Sequence, residues 1–339
     1  MVALADLTTL RVGGAARHLV TATTAAEIVD AVRDADEAGE PVLVLGGGSN
    51  LVVADEGFDG VVVRVATRGL ETLAVNACGG VMVTVAAGEP WDEFVLHAVE
   101  SGWAGIETMA GIPGSTGATP VQNVGAYGQE VATTIARVRT YDRVEGEVRT
   151  FMNVDCGFGY RASRFKGTDR YVVLDVTFQL RLGKVSEPVR YAELAQALDV
   201  PVGGRTAIVD VPPAVLALRR RKGMVLDEGD HDTWSAGSFF TNPVVRQAPA
   251  GAPTWAAGDG AVKVSAAWLI EHAGFGRGYP GPESPVALSS KHTLALTNRG
   301  SGTAADVVAL ARQIRAAVHD RFAITLEPEP RLVGVALDT

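Results

Sequence analysis

The chain has 339 residues, of which 47% are hydrophobic, and its formal net charge is −9. This length is more than one ordinary hydrophobic core needs, and the composition argues against a disordered or fibrous protein. The acidic balance argues against a nucleic-acid binder and against attachment to an anionic membrane, because both require a basic surface.

The first residues, MVALADLTTLRVGG, lack the basic and apolar regions of a signal peptide, and no run of 18 apolar residues follows. We therefore expect a cytoplasmic protein without a membrane span. Cys78 and Cys156 fit neither a metal motif nor a framework of several disulfides, so no metal site is predicted. Two buried free thiols are expected, and a single structural disulfide is the alternative.

The N-terminal part of the chain alternates predicted helices, strands and glycine loops. Thr24 and Glu27 fit a capping box that opens a helix, and Gly39 ends it. A second helix is predicted from Trp91 to Ser101. Short apolar runs predict strands at Val42–Leu45, Leu51–Val53, Val61–Val65, Val81–Ala86, Val138–Tyr141, Val148–Phe151 and Tyr171–Leu182.

Near the C-terminus, helical spacing of apolar residues predicts a long helix from Ser301 to Phe322. A last strand is expected at Ile324–Leu326, and Pro328 and Pro330 end it. The segment 246–260 is rich in Ala, Pro and Gly, and we interpret it as a surface insertion.

Two glycine-rich loops are candidates for binding a diphosphate. The first, Gly46–Asn50 (GGGSN), lies between strands and lets backbone N–H groups approach phosphate oxygens. The second, residues 104–128, is too long for an ordinary connection and combines small residues, prolines and amides. These features favour a planar ring held by backbone atoms. A flexible turn and a structural crossover are the alternatives.

The two loops together resemble the flavin-binding half of the enolpyruvyl-UDP-glucosamine reductases, the MurB family. Three further segments resemble the same family: Gly159–Ser163 (GYRAS), Gly237–Pro243 (GSFFTNP) and Leu326–Arg331 (LEPEPR). Tyr191 resembles a tyrosine of the mobile loop that distinguishes the long form of the family. The resemblance covers roughly residues 8–334, with the motifs in the correct order.

This resemblance implies an α+β fold. An FAD-binding domain of the vanillyl-alcohol-oxidase-like (PCMH-type) flavoprotein superfamily would be joined to a smaller C-terminal α+β substrate domain. We expect FAD-binding subdomains at 1–67 with 326–339 and at 68–210, and a substrate domain at 211–325.

The implied activity is NADPH-dependent reduction of UDP-N-acetylglucosamine enolpyruvate to UDP-N-acetylmuramate, a step in peptidoglycan precursor synthesis. FAD would be bound non-covalently, NADPH would be a co-substrate, and we expect a monomer. One alternative is an FAD-dependent alcohol or sugar oxidase of the same superfamily. Another is a non-catalytic flavin- or nucleotide-binding protein.

Three catalytic residues follow from the resemblance. Arg161 would stabilise an enolate, protonated Glu329 would donate a hydrogen bond to the same oxygens, and Ser238 would protonate carbon. Glu327 is the alternative to Glu329, because Pro330 stands where the family has Val and could change the register.

The resemblance also implies contacts to FAD and to the substrates. The predicted FAD residues are Gly46, Gly47, Gly48, Ser49, Asn50, Leu51, Gly111, Ile112, Pro113, Gly114, Ser115, Gly117, Gln122, Asn123, Gly125, Ala126 and Val173. The predicted substrate residues are Tyr127, Tyr191, Arg219, Lys222, Asn242, His292 and Arg331. A solvated helix face is the alternative for the cationic run at 219–222, and a structural histidine is the alternative for His292.

Overall fold

The computed structural model describes residues 2–76 and 79–338 of the chain. These residues divide into two compact units. Unit 1 consists of Met1–Arg17, Gly48–Asp59 and Arg221–Thr339, and unit 2 consists of His18–Gly47 and Gly60–Arg220. The sequence-based division into three domains stays a prediction.

Helices and strands are mixed along the chain, which makes the fold α+β. The described residues form the helices α1 (Ala25–Glu37), α2 (Trp91–Glu100), α3 (Ala192–Ala197), α4 (Val211–Arg221), α5 (Ala266–His272) and α6 (Ala304–Phe322). Their strands are β1 (Ala16–Ala22), β2 (Val42–Leu45), β3 (Leu51–Val53), β4 (Phe58–Val65), β5 (Leu70–Asn76), β6 (Gly80–Ala86), β7 (Trp103–Ala104), β8 (Gly125–Ala126), β9 (Gln129–Glu130), β10 (Ile135–Asp142), β11 (Glu147–Met152), β12 (Tyr171–Leu182), β13 (Val244–Val245), β14 (Thr254–Gly258), β15 (Ala261–Val264), β16 (Val286–Leu288), β17 (Leu296–Asn298) and β18 (Arg331–Val333).

Capping boxes begin the two longest helices. The Glu27 N–H donates to Thr24 Oγ1 at 3.2 Å, and this predicted box opens α1. Thr303 and Asp306 form a second box, so α6 begins at Ala304 and not at the predicted Ser301. Each box satisfies backbone N–H groups that have no partner inside the helix, and so fixes where the helix begins.

Unit 2 is built around a six-stranded sheet of order β11-β10-β12-β6-β5, with β7 also paired to β12. A smaller sheet of order β1-β4-β2 falls mostly in this unit, and β2 and β4 are parallel. Trp91 and Phe94 on α2 pack against Phe178 on β12, with ring centroids 5.1–5.8 Å apart. This packing fixes the helix that precedes the second glycine loop.

Unit 1 has its own apolar core and three small sheets. Phe239, Phe240, Ile314 and Leu326 belong to this core and are at most 1% exposed. The sheets have the orders β13-β15-β14, β16-β17 and β18-β3. In the last of these, β18 runs parallel to β3, so the C-terminal segment lies beside the strand that follows GGGSN.

One sequence prediction needs correction, and another gains detail. No strand forms at Ile324–Leu326: Ala323 ends α6 with φ 53°, and the strand β18 begins only at Arg331. The prolines at 328 and 330 lack the N–H that a continuous strand ladder needs, which moves the strand beyond them. The segment 246–260 is largely exposed, as expected for an insertion, but its residues Thr254–Gly258 form β14, paired with β15.

None of the described helices is long and apolar enough to cross a membrane. Cys156 is buried and free, as predicted, and its burial raises the pKa of the thiol to about 11. Cys78 lies outside the described residues, so the prediction for its thiol is not tested.

Candidate functional site

The two glycine loops contact each other within unit 2. A Cβ atom on Gly46 would lie 2.4 Å from Ser115 Oγ, and one on Gly47 would lie 2.6 Å from Gly114 Cα. Both distances are below any real Cβ contact, so these two positions have no room for a side chain. The two loops are therefore packed directly against each other at Gly46 and Gly47.

The second loop is attached to the start of α2 by backbone hydrogen bonds. The Trp91 N–H donates to the Gly114 carbonyl at 3.0 Å, and the Thr116 N–H donates to Glu89 at 2.8 Å. Thr116 Oγ1 is buried and has no hydrogen-bond partner among the described residues. A buried hydroxyl without a partner is costly, so this atom fits a polar ligand such as the FAD diphosphate.

Gly111 begins the GIPGSTG motif of the second loop, and both its backbone N–H and its carbonyl are hydrogen-bonded to side chains. Its N–H donates to Asp92 Oδ1 at 2.5 Å, and its carbonyl accepts from Arg219 Nε at 3.2 Å. Burial lowers the pKa of Arg219, while Tyr127 and Asp92 partly oppose this shift. Arg219 is thus packed against the predicted flavin loop, and its contact with a substrate stays a prediction.

Arg161 occupies a strained turn and reaches the same loop. The turn is closed by hydrogen bonds between Gly159 and Ala162, and Arg161 has φ 50°, which is uncommon for a residue with a side chain. Its guanidinium donates to the carbonyls of Asn123 at 3.2 Å and Gly125 at 3.0 Å. The predicted catalytic arginine therefore lies against two predicted flavin residues.

Asn123 is 1% exposed and connects several parts of this region. Its Nδ2 donates to Glu130 Oε2 and to the Gly159 carbonyl, both at 3.0 Å, and its Oδ1 accepts from the Ala132 N–H at 3.0 Å. With φ 48°, it also supplies a left-handed bend. These bonds hold the loop and the Arg161 turn in one arrangement.

Tyr127 and Tyr191, both predicted to contact substrate, lie together in unit 2. Their ring centroids are 5.3 Å apart and the rings are nearly perpendicular, at 87°. Tyr191 is 46% exposed and directly precedes α3. A T-shaped pair of this kind is a favourable contact that orients both hydroxyl-bearing rings.

In unit 1, two predicted catalytic segments pair with each other. The Glu329 N–H donates to the Phe239 carbonyl at 2.8 Å, and the Thr241 N–H donates to the Glu327 carbonyl at 3.0 Å. This antiparallel bridge has Phe240 opposite Pro328. Its register places Glu329 opposite Phe239, the residue after Ser238.

The first glycine loop joins this pair through Asn50. Asn50 Nδ2 donates to the Glu329 carbonyl at 3.2 Å, and the Arg331 N–H donates to the Asn50 carbonyl at 3.0 Å. Gly48 has φ 63°, and a Cβ atom there would lie 1.8 Å from the Leu7 carbonyl oxygen. Three motifs that are far apart in sequence therefore meet within unit 1.

The two acids of LEPEPR have different surroundings. The side chain of Glu327 is 69% exposed and lies 3.9 Å from Arg315 Nη2. Glu329 is less exposed and lies in the bridge beside the Ser238 segment. Ser238 itself is partly exposed, while Phe239 and Phe240 are each 1% exposed and anchor the backbone on either side of the bridge.

Two predicted substrate residues of unit 1 have structural partners. Asn242 Oδ1 accepts from the Ala266 N–H at 2.9 Å, at the first residue of α5. His292 Nδ1 accepts from the Leu294 N–H at 3.0 Å. Their contacts with substrate, like that of Lys222, stay predictions.

Sequence reasoning missed two residues beside the second glycine loop, Thr116 and Asp92. Thr116 stands between Ser115 and Gly117, both of which were predicted, so its place in the motif was a usable indication. Asp92 had no such indication, because an acid in the first turn of a helix is ordinarily explained by the helix dipole.

Comparisons with known proteins agree along the whole chain. Residues 16–151 match the family model of an FAD binding domain. Residues 229–333 match that of the UDP-N-acetylenolpyruvoylglucosamine reductase C-terminal domain.

Curated relatives carry the same reductase name. UDP-N-acetylenolpyruvoylglucosamine reductase from Cutibacterium acnes is 60% identical, covering 99% of this chain and 90% of its own length. The one from Salinispora arenicola is 56% identical, covering 98% and 95%. The crystal structure of the Thermus caldophilus reductase has a TM-score of 0.66 and 26% identity, covering 98% of this chain and 97% of its own.

Proposed function

Because this chain belongs to the UDP-N-acetylenolpyruvoylglucosamine reductase family, we propose that it reduces UDP-N-acetylglucosamine enolpyruvate to UDP-N-acetylmuramate. NADPH is the reductant and FAD the cofactor, and the product is a precursor of peptidoglycan. The observation that carries the site assignment is the bridge between the Ser238 and Glu329 segments beside Asn50.

FAD would be held by the two glycine loops, which contact each other through Gly46 and Gly47 in unit 2. Gly46 and Gly47 bring the first loop into close contact with Gly114 and Ser115 of the second, and Thr116 Oγ1 is a buried hydroxyl without a partner among the described residues. Bound FAD supplies the transfer of two electrons and a proton, as hydride, from NADPH to the enolpyruvyl ether. The chain's own residues bind and orient the substrate and move the remaining proton.

Arg161 is assigned to the negative charge that develops on the substrate carboxylate. A guanidinium carries five N–H donors in a rigid plane, so it can bond loop carbonyls and a carboxylate together. The bonds to Asn123 and Gly125 support this role, because they fix the plane of the group in advance.

Ser238 is assigned to the final proton transfer to carbon, and Glu329 to a hydrogen bond on the enolate oxygens. The partial exposure of Ser238 beside two buried phenylalanines supports this, since a proton donor needs access to substrate on a fixed backbone. Glu329 is preferred over Glu327, because Glu327 is mostly exposed and faces Arg315.

A spectroscopic experiment tests the function. The purified protein should have the visible spectrum of a flavoprotein, bleach when NADPH is added without oxygen, and regain its colour when the enolpyruvyl substrate follows. Oxygen consumption with a sugar alcohol and no oxidation of NADPH would instead indicate an oxidase. Binding of the UDP-sugar without bleaching would indicate a non-catalytic protein.

We also propose that the enzyme is a monomer and that it is cytoplasmic; the location is supported by the charged nucleotide character of both substrates. Light scattering during size-exclusion chromatography tests the monomer. Cell fractionation tests the location.

A further inference from the structure

His292 lies in the loop between β16 and β17, and its imidazole is bonded within that loop. Its Nδ1 accepts from the Leu294 N–H at 3.0 Å. The backbone of His292 is bonded too: its N–H donates to Ser289 Oγ at 3.2 Å, and its carbonyl accepts from the Ala295 N–H at 3.1 Å. The ring is thus part of a tight turn and is not a freely rotating surface side chain.

Leu294, whose backbone N–H donates to the His292 ring, is also connected through its carbonyl to the residue after the proposed proton donor. The Leu294 carbonyl accepts from the Phe239 N–H at 2.7 Å, and the Phe239 carbonyl accepts from the Glu329 N–H at 2.8 Å. Phe239 directly follows Ser238. A continuous series of hydrogen bonds therefore runs from the imidazole through Leu294 to both ends of the Phe239 residue and on to Glu329.

The series requires a neutral imidazole whose proton is on Nε2, because Nδ1 acts as the acceptor. Burial and the positive charges of Lys222 and Arg277 lower the pKa of His292 to about 4, and Glu271 partly opposes this. The ring is therefore a neutral acceptor at physiological pH.

We propose that His292 is a positioning residue for the reaction: its ring fixes the backbone of Leu294 at the N–H, the Leu294 carbonyl fixes Phe239, and Phe239 in turn places Ser238 and Glu329. This inference rests on the proposed function, since it concerns the same proton transfer. It differs from a direct substrate contact, which would use Nε2 and not Nδ1.

Two conservative variants separate the two roles. In His292→Asn the side-chain amide lies near the position of Nδ1 and can accept from Leu294. In His292→Gln it reaches the position of Nε2 and can contact a ligand. His292→Phe keeps a ring but has neither nitrogen.

A 15N spectrum of wild-type protein should find the neutral tautomer with its proton on Nε2.

Rates of the two half-reactions are then measured without oxygen. We expect flavin reduction by NADPH to be unchanged in all three variants. Reoxidation by the enolpyruvyl substrate should stay within about 3-fold of wild type in His292→Asn. It should fall by up to about 100-fold in His292→Gln and His292→Phe, because misplacement of reacting groups has effects of that size. KM for the UDP-sugar should change less than kcat.

Visible spectra and thermal unfolding confirm that each variant is folded and holds flavin. A fast His292→Gln together with a slow His292→Asn would overturn the proposal in favour of direct contact through Nε2. Wild-type rates in all three variants would overturn any role for the imidazole. Failure of the proposed function is distinguishable, because wild-type protein would then not reoxidise with the enolpyruvyl substrate.

Discussion

The N–H of Glu329 donates a hydrogen bond to the carbonyl of Phe239 at 2.8 Å. The two residues are 90 positions apart in the sequence. The bond connects the proposed acid to the residue that follows the proposed proton donor, Ser238. Variants of Ser238 and Glu329 test whether the side chains that this bond brings together take part in the reaction.

Replacing Ser238 with Ala should spare the first half-reaction and slow the second. A positioned proton donor typically contributes about 10²- to 10⁴-fold, so reoxidation by the enolpyruvyl substrate should fall by that factor. Stopped-flow absorbance of the flavin measures both steps. Thr241→Val removes another hydroxyl of the same segment, one bonded to the Glu327 carbonyl at 3.4 Å, and should react at nearly the wild-type rate. Equal rates in Ser238→Ala and wild type would contradict the assignment.

The two acids of LEPEPR should respond differently to amide substitution. Glu329→Gln removes the proposed acidic donor and should lower kcat by on the order of 100-fold or more. Glu327→Gln removes only the charge of an exposed side chain 3.9 Å from Arg315 and should change kcat little. Steady-state NADPH oxidation measures both variants. If Glu327→Gln is the impaired variant, the roles of the two acids are reversed.

Arg161→Lys should not behave as a conservative change. An ammonium group cannot make two fixed bonds to the carbonyls of Asn123 and Gly125 and also clamp a carboxylate. We expect kcat/KM for the UDP-sugar to fall by about 10- to 100-fold. Arg164→Lys is the matched control, because Arg164 packs 4.5 Å from the Phe151 ring centroid. Turnover at the wild-type level in Arg161→Lys would make Arg161 structural.

Asp92→Ala should weaken the binding of FAD. Asp92 Oδ1 accepts from the Gly111 N–H, and loss of a hydrogen bond to a charged group costs about 1.5–3 kcal/mol. This corresponds to roughly a 10- to 100-fold higher Kd, measured by fluorescence titration of the apoprotein. Glu93→Ala changes a side chain that is 68% exposed and should leave the Kd unchanged. An equal loss of FAD affinity in both variants would indicate that the integrity of α2, and not the bond between Asp92 and Gly111, determines FAD binding.

The stability of the protein should depend on pH through His292. Its pKa is about 4 in the folded chain against an ordinary value of 6.5, so the unfolded chain binds a proton first as the pH falls. The contribution of neutral His292 to the free energy of unfolding is therefore fully present above pH 6.5 and is lost progressively as the pH drops toward 4. Urea unfolding should show that the free energy of unfolding falls between pH 7 and pH 4.5, and that it falls further in wild type than in His292→Asn. The expected difference is on the order of 1–2 kcal/mol, reduced from the full shift by partial exposure of the ring. Identical losses would contradict this prediction.

Local patterns in the sequence were sufficient for part of unit 2: they predicted α1, α2, β2, β4, β6, β10, β11 and β12, but not α3, α4, β1, β5, β7, β8 or β9. The capping box at Thr24 fixes α1, and the alternation over Tyr171–Leu182 gives β12 with the observed bounds. These elements depend on neighbouring residues and on hydrophobic periodicity, both of which can be read directly from the chain. The glycines at 46 and 47 were also identified from their motif, and the reason for them is steric.

Tertiary structure alone decided which groups lie next to one another. The pairing of Phe239 with Glu329, the place of β18 beside β3 and the contact of Asp92 with Gly111 all join distant segments. Such contacts are formed when separate cores bury their apolar surface and satisfy the backbone groups around it. The sequence by itself therefore determined the family, the motifs and the local elements, because these are encoded over short spans. The partners of His292 and the different surroundings of Glu327 and Glu329 depend on packing between segments, which no local pattern contains.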